Sequence, residues 1–286
     1  MKLRALFLLA GTLAASACAS QASAATPAAT RALVQQPART RIHSAGSYAH
    51  ESSTTAVIAS RSSSTSDYSA GQAALKARRY TAAVRYFQAA IDHHVRVFDA
   101  YIGLGTADVA LARYADGFRA YRRAASLQPR NAGVLYKAAY AALNANDYHN
   151  AVAYATRYLA LKPHDGNGYH LRFLAYGGLL DAKHQLDDAR LVARYEPNSA
   201  TAFNDLGIAL AQNRQYKASE AALTKAIALQ PGNWQFYKNR GLAEYRNNQL
   251  TLALHDFQRA ERLVKDPLQR SNLRAAIAVL QKQMHH

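Results

Sequence analysis

The tripeptide Leu127-Gln128-Pro129 returns in altered form every 34 residues along this 286-residue chain. The later copies are Leu161-Lys162-Pro163, Tyr195-Glu196-Pro197 and Leu229-Gln230-Pro231. Proline ends a helix because it lacks the backbone N–H and its ring clashes with the preceding turn. A period of 34 residues that closes on proline is typical of stacked helix–turn–helix units. Such units bury their apolar faces only against their neighbours, so the sequence predicts an all-α solenoid.

Other positions recur in the frame that the prolines define. A small residue lets the first helix of each unit approach the second closely. It stands at Gly71, Gly105, Ala139, Gly207 and Gly241. An aromatic residue marks the turn between the two helices at Tyr80, Tyr114, Tyr148 and Tyr216, and a second small residue follows at Ala83, Ala151 and Ala253. The spacing of these positions indicates two helices in every unit.

These features resemble the tetratricopeptide repeat (TPR) family. The resemblance covers six units, which we place at 67–97, 98–131, 132–165, 166–199, 200–233 and 234–265. It implies paired antiparallel helices stacked into a right-handed superhelix with a concave peptide-binding groove. Residues 266–286 fit no unit, and their apolar stripe is Leu268, Leu273, Ile277 and Leu280. This stripe predicts an amphipathic helix that covers the open end of the last unit.

The fourth unit departs from the pattern. Phe173 stands where a small residue is expected, Arg172 where leucine is expected, and Gln185 replaces the second small residue. Gly177 and Gly178 add two poor helix formers near the end of its first helix. These departures indicate a local kink or a less stable joint, or else ordinary drift in a tolerant repeat.

The first 66 residues have a different composition from the repeats. A basic start is followed by an apolar stretch that is too short to span a bilayer and then by small residues, so 1–25 reads as a secretory signal peptide. Residues 26–66 are rich in serine and alanine and poor in large apolar residues, which predicts a disordered linker. We therefore expect a periplasmic or secreted protein.

Cys18 is the only cysteine in the chain. It is either removed with the signal peptide or serves as the lipid attachment site of an outer-membrane lipoprotein, in which case the linker becomes a tether. Contact with a membrane is expected only in the second case. No disulfide is possible within one mature chain, so packing alone must stabilise the fold.

The charge of the chain narrows the classes of partner. The formal net charge is +17, and loss of Lys2 and Arg4 with the signal peptide leaves about +15. A strongly basic surface favours acidic partners such as an anionic polysaccharide, lipid head groups or acidic proteins. The alternative is a soluble surface rich in arginine. Nucleic acid is not expected, because an exported chain rarely meets it.

The sequence shows no pattern that is typical of an active site. Its histidines lack the helical spacing of metal ligands, and no glycine-rich phosphate loop is present. Asp181, Asp187 and Asp188 cluster in the fourth unit, but charged residues on a solvated helix face are the commoner explanation. We therefore expect no enzyme, no metal site and no cofactor.

The resemblance also suggests where a partner binds, because the first helices of TPR units line the groove. The side chains so placed are Tyr136, Tyr140, Asn144, His170, Leu174, Asn204, Ile208, Lys238, Leu242, Tyr245 and Arg246. Tyrosine combined with asparagine, lysine and arginine suits a peptide, since it offers aromatic area and hydrogen bonds to the backbone. Some of these tyrosines could instead pack between units.

The expected function is a non-enzymatic scaffold of the bacterial cell envelope that binds a peptide or protein in its groove. Similar proteins serve in exopolysaccharide export, pilus assembly and outer-membrane assembly, so the resemblance implies a setting of this kind. The alternative is a basic module that binds an acidic envelope polymer directly.

Overall fold

A computed structural model describes residues 66–285, which form thirteen α-helices and no strand. The helices are α1 (66–76), α2 (Tyr80–Asp92), α3 (Val97–Ala110), α4 (Tyr114–Leu127), α5 (Ala132–Asn144), α6 (Tyr148–Leu161), α7 (Gly166–Gly178), α8 (Ala182–Tyr195), α9 (Ala200–Gln212), α10 (Tyr216–Leu229), α11 (Trp234–Arg246), α12 (Leu250–Leu263) and α13 (Pro267–Met284). The predicted signal peptide, Cys18 and nearly all of the predicted linker lie outside the described residues.

The helices are arranged as six consecutive pairs followed by α13. Each helix from α2 onward packs against the next one along the chain, and α1 shares a core cluster with α2. The first helices of neighbouring pairs also contact each other, as α5 does with α7 and α9 with α11. We call the layer formed by α1, α3, α5, α7, α9 and α11 the inner layer. The predicted all-α solenoid is confirmed.

The repeated prolines end helices in the way that the sequence predicts. Helices α4, α6, α8 and α10 each stop two residues before a proline. The residue before the proline leaves the helical conformation, for example Gln230 at φ −145° and ψ 79°, because the proline ring excludes the α conformation there. The next helix then begins at a side-chain cap, and these caps are Asn131, Asp165, Ser199 and Asn233.

Size complementarity holds the two helices of a unit together. A Cβ added at Gly241 would lie 3.0 Å from the ring of Phe257, and one added at Gly207 would lie 2.4 Å from Leu223. The fourth unit reverses the arrangement. Its first helix carries Phe173, which is completely buried in a core cluster with Ala189 of the second helix. The large residue is therefore on the first helix instead of the second, and α7 runs unbroken for 13 residues.

An ion pair explains Arg172 in the fourth unit. Its Nε and Nη2 donate to the two carboxylate oxygens of Asp188 at 2.8 and 2.7 Å, and its Nη1 donates to Thr156 of the preceding unit at 3.1 Å. Asp181 instead caps α8, while Asp187 is exposed. These three aspartates therefore have different structural roles, and they form no carboxylate pair.

A left-handed residue recurs in the turn between the two helices of each unit. These residues are Arg78, Ala112, Asn146, Leu180, Arg214 and Asn248, with φ between 55° and 61°. Asparagine tolerates this conformation better than other residues with a Cβ do. Leu180 is also 80% exposed, so its apolar side chain gains little packing in this turn.

We expect Leu180→Asn to stabilise the protein by about 0.5–1 kcal/mol, because asparagine relieves the left-handed strain. Urea denaturation would measure the change. Leu180→Ala serves as the control, since it removes the exposed side chain and keeps the strain. Equal stability of the two variants would show that backbone strain at this turn is negligible.

The last helix covers the sixth unit. Helix α13 packs on α12, and it buries Leu273, Ala276, Ile277 and Leu280. Leu268 was predicted to belong to the same stripe, but it is 67% exposed. It lies in the first turn of α13, before the buried face begins. Among residues 66–285, no helix is long and apolar enough to cross a membrane.

Candidate functional site

The predicted groove residues of the third unit occupy different environments on α5. Tyr140 is 37% exposed, and Asn144 is exposed and donates to the Tyr140 carbonyl at 2.8 Å. Tyr136 is half-buried, with its ring centroid 5.3 Å from that of Tyr158. Burial raises the pKa of the Tyr136 phenol. Tyr140 and Asn144 are therefore open to a partner, whereas Tyr136 also packs within the unit.

A chain of polar contacts runs along the inner layer from the fourth to the sixth unit. His170 Nδ1 lies 3.2 Å from Asp205 Oδ2. Asn204 Nδ2 donates to Asp205 Oδ1 at 3.3 Å, and Asn239 Nδ2 donates to Asn204 Oδ1 at 2.8 Å. We call these four residues the polar ladder. Burial lowers the pKa of His170, but the carboxylates of Asp205 and Glu196 outweigh it, so the pKa is raised overall.

The Asp205 carboxylate determines which atoms donate and which accept along the polar ladder. An ionised aspartate only accepts hydrogen bonds, so Asn204 must turn its NH₂ group toward Asp205. Its oxygen then faces Asn239, which must donate in turn. Asn239 is 5% exposed, and its Oδ1 is buried without a hydrogen-bond partner among the described residues. The ladder therefore ends in a free acceptor.

Asn239, which carries this free acceptor, lines a pocket of about 250 Å³ between α9 and α11. Gln212 lines the same pocket, and its buried Oε1 also lacks a partner within residues 66–285. Buried polar atoms in folded proteins are nearly always hydrogen-bonded. Two unpartnered carbonyl oxygens in one pocket therefore mark it as a candidate binding site.

Two cations lie at the same pocket. Arg214 and Arg246 both line it and are both exposed. Neither guanidinium pairs with a carboxylate among the described residues, in contrast to Arg240, which binds Asp256 at 2.7 Å. The pocket therefore combines apolar walls, two buried acceptors and two unpaired positive charges.

Lys238 is less accessible than its groove position suggests. It is 4% exposed, and burial lowers the pKa of its ammonium group to about 8. Burial is the only cause of this shift, so no carboxylate of the described chain compensates for the charge. Its Nζ lies 5.5 Å from the ring centroid of Trp234, which offers a cation–π contact.

We expect Lys238→Met to stabilise the protein at pH 7 by on the order of 2 kcal/mol, because it removes a charge that folding desolvates. The unfolded chain keeps its proton up to a pKa of 10.5, whereas the folded protein releases it near 8. The unfolded state thus binds more protons in this window, and the stability of the wild type rises from pH 8 to 10.5.

Urea denaturation at neutral and alkaline pH measures both effects. Lys238→Met should lack the alkaline rise. Lys217→Met, at an exposed position of α10, is the matched control and should change neither quantity. A variant at Lys238 with wild-type stability at pH 7 would show that the charge is better solvated than its burial indicates.

The remaining predicted residues divide between groove and core. Arg246 is exposed and lines the pocket. Tyr245 is half-buried, and its hydroxyl accepts from Gln283 of α13 at 3.5 Å, so it faces the last helix. Ile208 and Leu242 are 2% and 4% exposed and belong to the core that floors the pocket. The prediction did not include Asn239, Gln212, Arg214 or Tyr216.

The missed residues had one weak signal in the sequence. Asn239 directly follows a predicted groove residue on the first helix of its unit. A polar residue at such a position is a candidate for a contact between units. Metal binding has no comparable support, since residues 66–285 hold no group of three or more possible ligands among His, Cys, Asp and Glu.

Three solved structures of similar fold are distant from this chain in sequence. A tetratricopeptide repeat protein from Parabacteroides merdae is 17% identical with a TM-score of 0.64, covering 78% of this chain and 88% of its own. MamA from Desulfovibrio magneticus is 20% identical with a TM-score of 0.56, covering 58% and 94%. YrrB, described as a TPR protein with an unusual peptide-binding site, is 16% identical with a TM-score of 0.56, covering 70% and 98%. These likenesses show the fold. No curated protein matches the chain significantly.

The family comparison uses the sequence itself. The model of the family described as "Tetratricopeptide repeat" matches residues 68–107, 102–166 and 204–267, together more than half of the chain. The stretch between the second and third matches covers most of the fourth unit. In that unit the large residue is on the first helix and the small residue is on the second. Since the fold and the sequence agree on the same repeats, the chain belongs to the tetratricopeptide repeat family.

Proposed function

We propose that this protein is an interaction scaffold that binds an extended peptide segment of another protein along its inner layer. The family and its fold support binding of a protein or peptide partner. The pocket between α9 and α11 carries the proposal, because its two unpartnered acceptors match the N–H groups of a peptide. YrrB, whose structure is described by a peptide-binding site, shares the fold.

Photo-crosslinking in the producing cell tests this function. A photoreactive phenylalanine analogue at Tyr140 places the probe on the inner layer. Tyr86 is the matched control, because it is also an exposed tyrosine but lies on the second helix of the first unit. We expect a discrete protein adduct from Tyr140 and none from Tyr86. Equal adducts at both positions, or none at Tyr140, would contradict binding on the inner layer.

The setting that we propose is the bacterial cell envelope, with a periplasmic or secreted mature protein. An apolar N-terminal stretch followed by small residues supports export. Assembly systems for exopolysaccharide export, pili or the outer membrane are the proposed context. N-terminal sequencing of the mature protein should begin near Ala25 or Thr26. A lipid-modified Cys18 as the first residue would favour the outer-membrane lipoprotein, and an unprocessed Met1 would contradict export.

Direct binding of an acidic polymer is the second candidate function, and a separate cleft favours it. This cleft of about 400 Å³ lies between α2, α3 and α4. Four arginines line it, at positions 113, 119, 122 and 123. Arg119 pairs with Asp116, whereas Arg122 and Arg123 have no carboxylate partner among the described residues.

Salt separates the two functions. Binding of a uronate polymer to these arginines should weaken steeply as the salt concentration rises, because exposed charges are screened within about 10 Å at 0.1 M. Peptide binding that buries apolar surface and hydrogen bonds should weaken less. The purified protein should therefore be titrated with polygalacturonate at low and high salt, with neutral dextran as the control. A loss of polygalacturonate binding in Arg122→Gln/Arg123→Gln would support the second function.

A further inference from the structure

Resting on the proposed function, we propose that the pocket between α9 and α11 selects an extended peptide segment that carries aspartate or glutamate. The peptide N–H beside the acidic residue donates to Asn239, and the side-chain carboxylate pairs with Arg214 and Arg246. The acidic residue is internal to the segment.

The polar ladder requires a donor at Asn239. Asp205 fixes the orientation of Asn204, which fixes that of Asn239, so the amide atom of Asn239 that is left without a partner is Oδ1, in a residue that lines the pocket. A partner that brings only acceptors leaves this buried oxygen unpaired, which costs binding free energy. The chemical demand on the partner is therefore an N–H or O–H group.

The two arginines restrict which donor can enter. A lysine, an arginine or a free amino terminus would bring a positive charge beside Arg214 and Arg246, and like charges at an interface disfavour the wrong partner. A neutral peptide N–H satisfies Asn239 without that penalty. The second acceptor, Gln212 Oε1, lies on the neighbouring helix. An extended strand carries N–H groups about 7 Å apart along one edge, so the same segment has a second donor to offer.

The same arginines favour an anion. Both are exposed and have no carboxylate partner in the described chain, so a carboxylate of the partner gains two charge-assisted contacts without breaking an existing pair. The pocket walls include the apolar side chains of Ile208, Ala211 and Leu242. They suit the methylene groups of an acidic side chain. A pocket of about 250 Å³ is small for a whole ligand and fits a single side chain with its peptide group.

An array of capped peptides tests the specificity on the full-length protein. The peptides have about nine residues, which reach roughly 30 Å when extended, and they vary at the central position. Acetylated and amidated ends leave the side chain as the only carboxylate. We expect aspartate and glutamate at the centre to be enriched over their amides asparagine and glutamine. Lysine and arginine should be depleted.

Variants of both partners then test the two contacts separately. Arg214→Gln/Arg246→Gln should weaken binding of the best acidic peptide by about tenfold and abolish its preference for an acidic centre. Arg262→Gln is the control, because it removes a comparable exposed charge from α12. N-methylation of the peptide N–H beside the acidic residue should weaken binding by a similar factor, and it leaves the protein unchanged.

The outcomes separate this inference from the proposed function. Groove binding of capped peptides with no preference for an acidic centre would overturn the inference and leave the peptide-binding function intact. Binding that requires a free carboxyl terminus would overturn the proposal that the acidic residue is internal to the segment. Binding of polygalacturonate at this pocket, with no capped peptide bound, would overturn both the inference and the proposed function.

Discussion

Phe173→Ala will destabilise the protein by about 3–5 kcal/mol, because it leaves a cavity between the two helices of the fourth unit. Phe173 is completely buried. Ala189→Phe alone will also destabilise the protein, by about 1–3 kcal/mol, since the space is already filled. Urea denaturation of each variant measures these costs.

The double variant decides the interpretation. Phe173→Gly/Ala189→Phe restores the arrangement of the first and sixth units, where glycine on the first helix faces phenylalanine on the second. We expect it to recover much of the stability that Phe173→Ala loses. Leu268→Ala is the control for a large-to-small change at an exposed site, and it should cost little. A double variant less stable than both single variants would contradict the interpretation that positions 173 and 189 share one space that either side chain can fill.

Ending the chain at Asp266 removes α13 and will destabilise the last two units. Helix α13 shares a core cluster with Phe257, Leu254 and Leu263 of α12. Each large apolar side chain so uncovered forfeits about 1.5–3 kcal/mol. Contacts in a solenoid are local, so the first three units should keep their stability. The uncovered surface should also lead the truncated protein to self-associate.

Hydrogen exchange measures where the truncation acts. Protection should fall in α11 and α12 and remain high in α3 to α6. A chain ending at Met284 keeps all of α13 and should exchange like the full protein. Uniform protection through the sixth unit of the Asp266 truncation would show that α13 does not act as a cap.

Helix boundaries could be predicted because the forces that set them are local. Pro231 excludes the helical conformation from Gln230, and Asn233 caps α11 with its own side chain. Both effects act within three residues. Tyr140 and Arg246 are exposed, which agrees with the positions that the family resemblance implies for them.

The candidate site depends on contacts that no local pattern contains. The hydrogen bond from Asn239 to Asn204 joins residues 35 positions apart. Its donor–acceptor direction is set by Asp205, which orients Asn204. The burial of Lys238 likewise depends on tertiary packing around α11. A periodic pattern reports which face a residue occupies. It does not report which neighbour from another unit meets it there.

By itself, the sequence determined that this protein is a six-unit all-α repeat and where its helices end, because proline, capping residues and helical periodicity act within one or two turns. Only the tertiary structure decided that Phe173 on the first helix of the fourth unit packs against Ala189 on the second. It also decided that Lys238 is desolvated and that Asn239 ends the polar ladder in a free acceptor. Packing volume, desolvation and hydrogen-bond direction depend on atoms from several units at once, and these atoms meet only when the units stack.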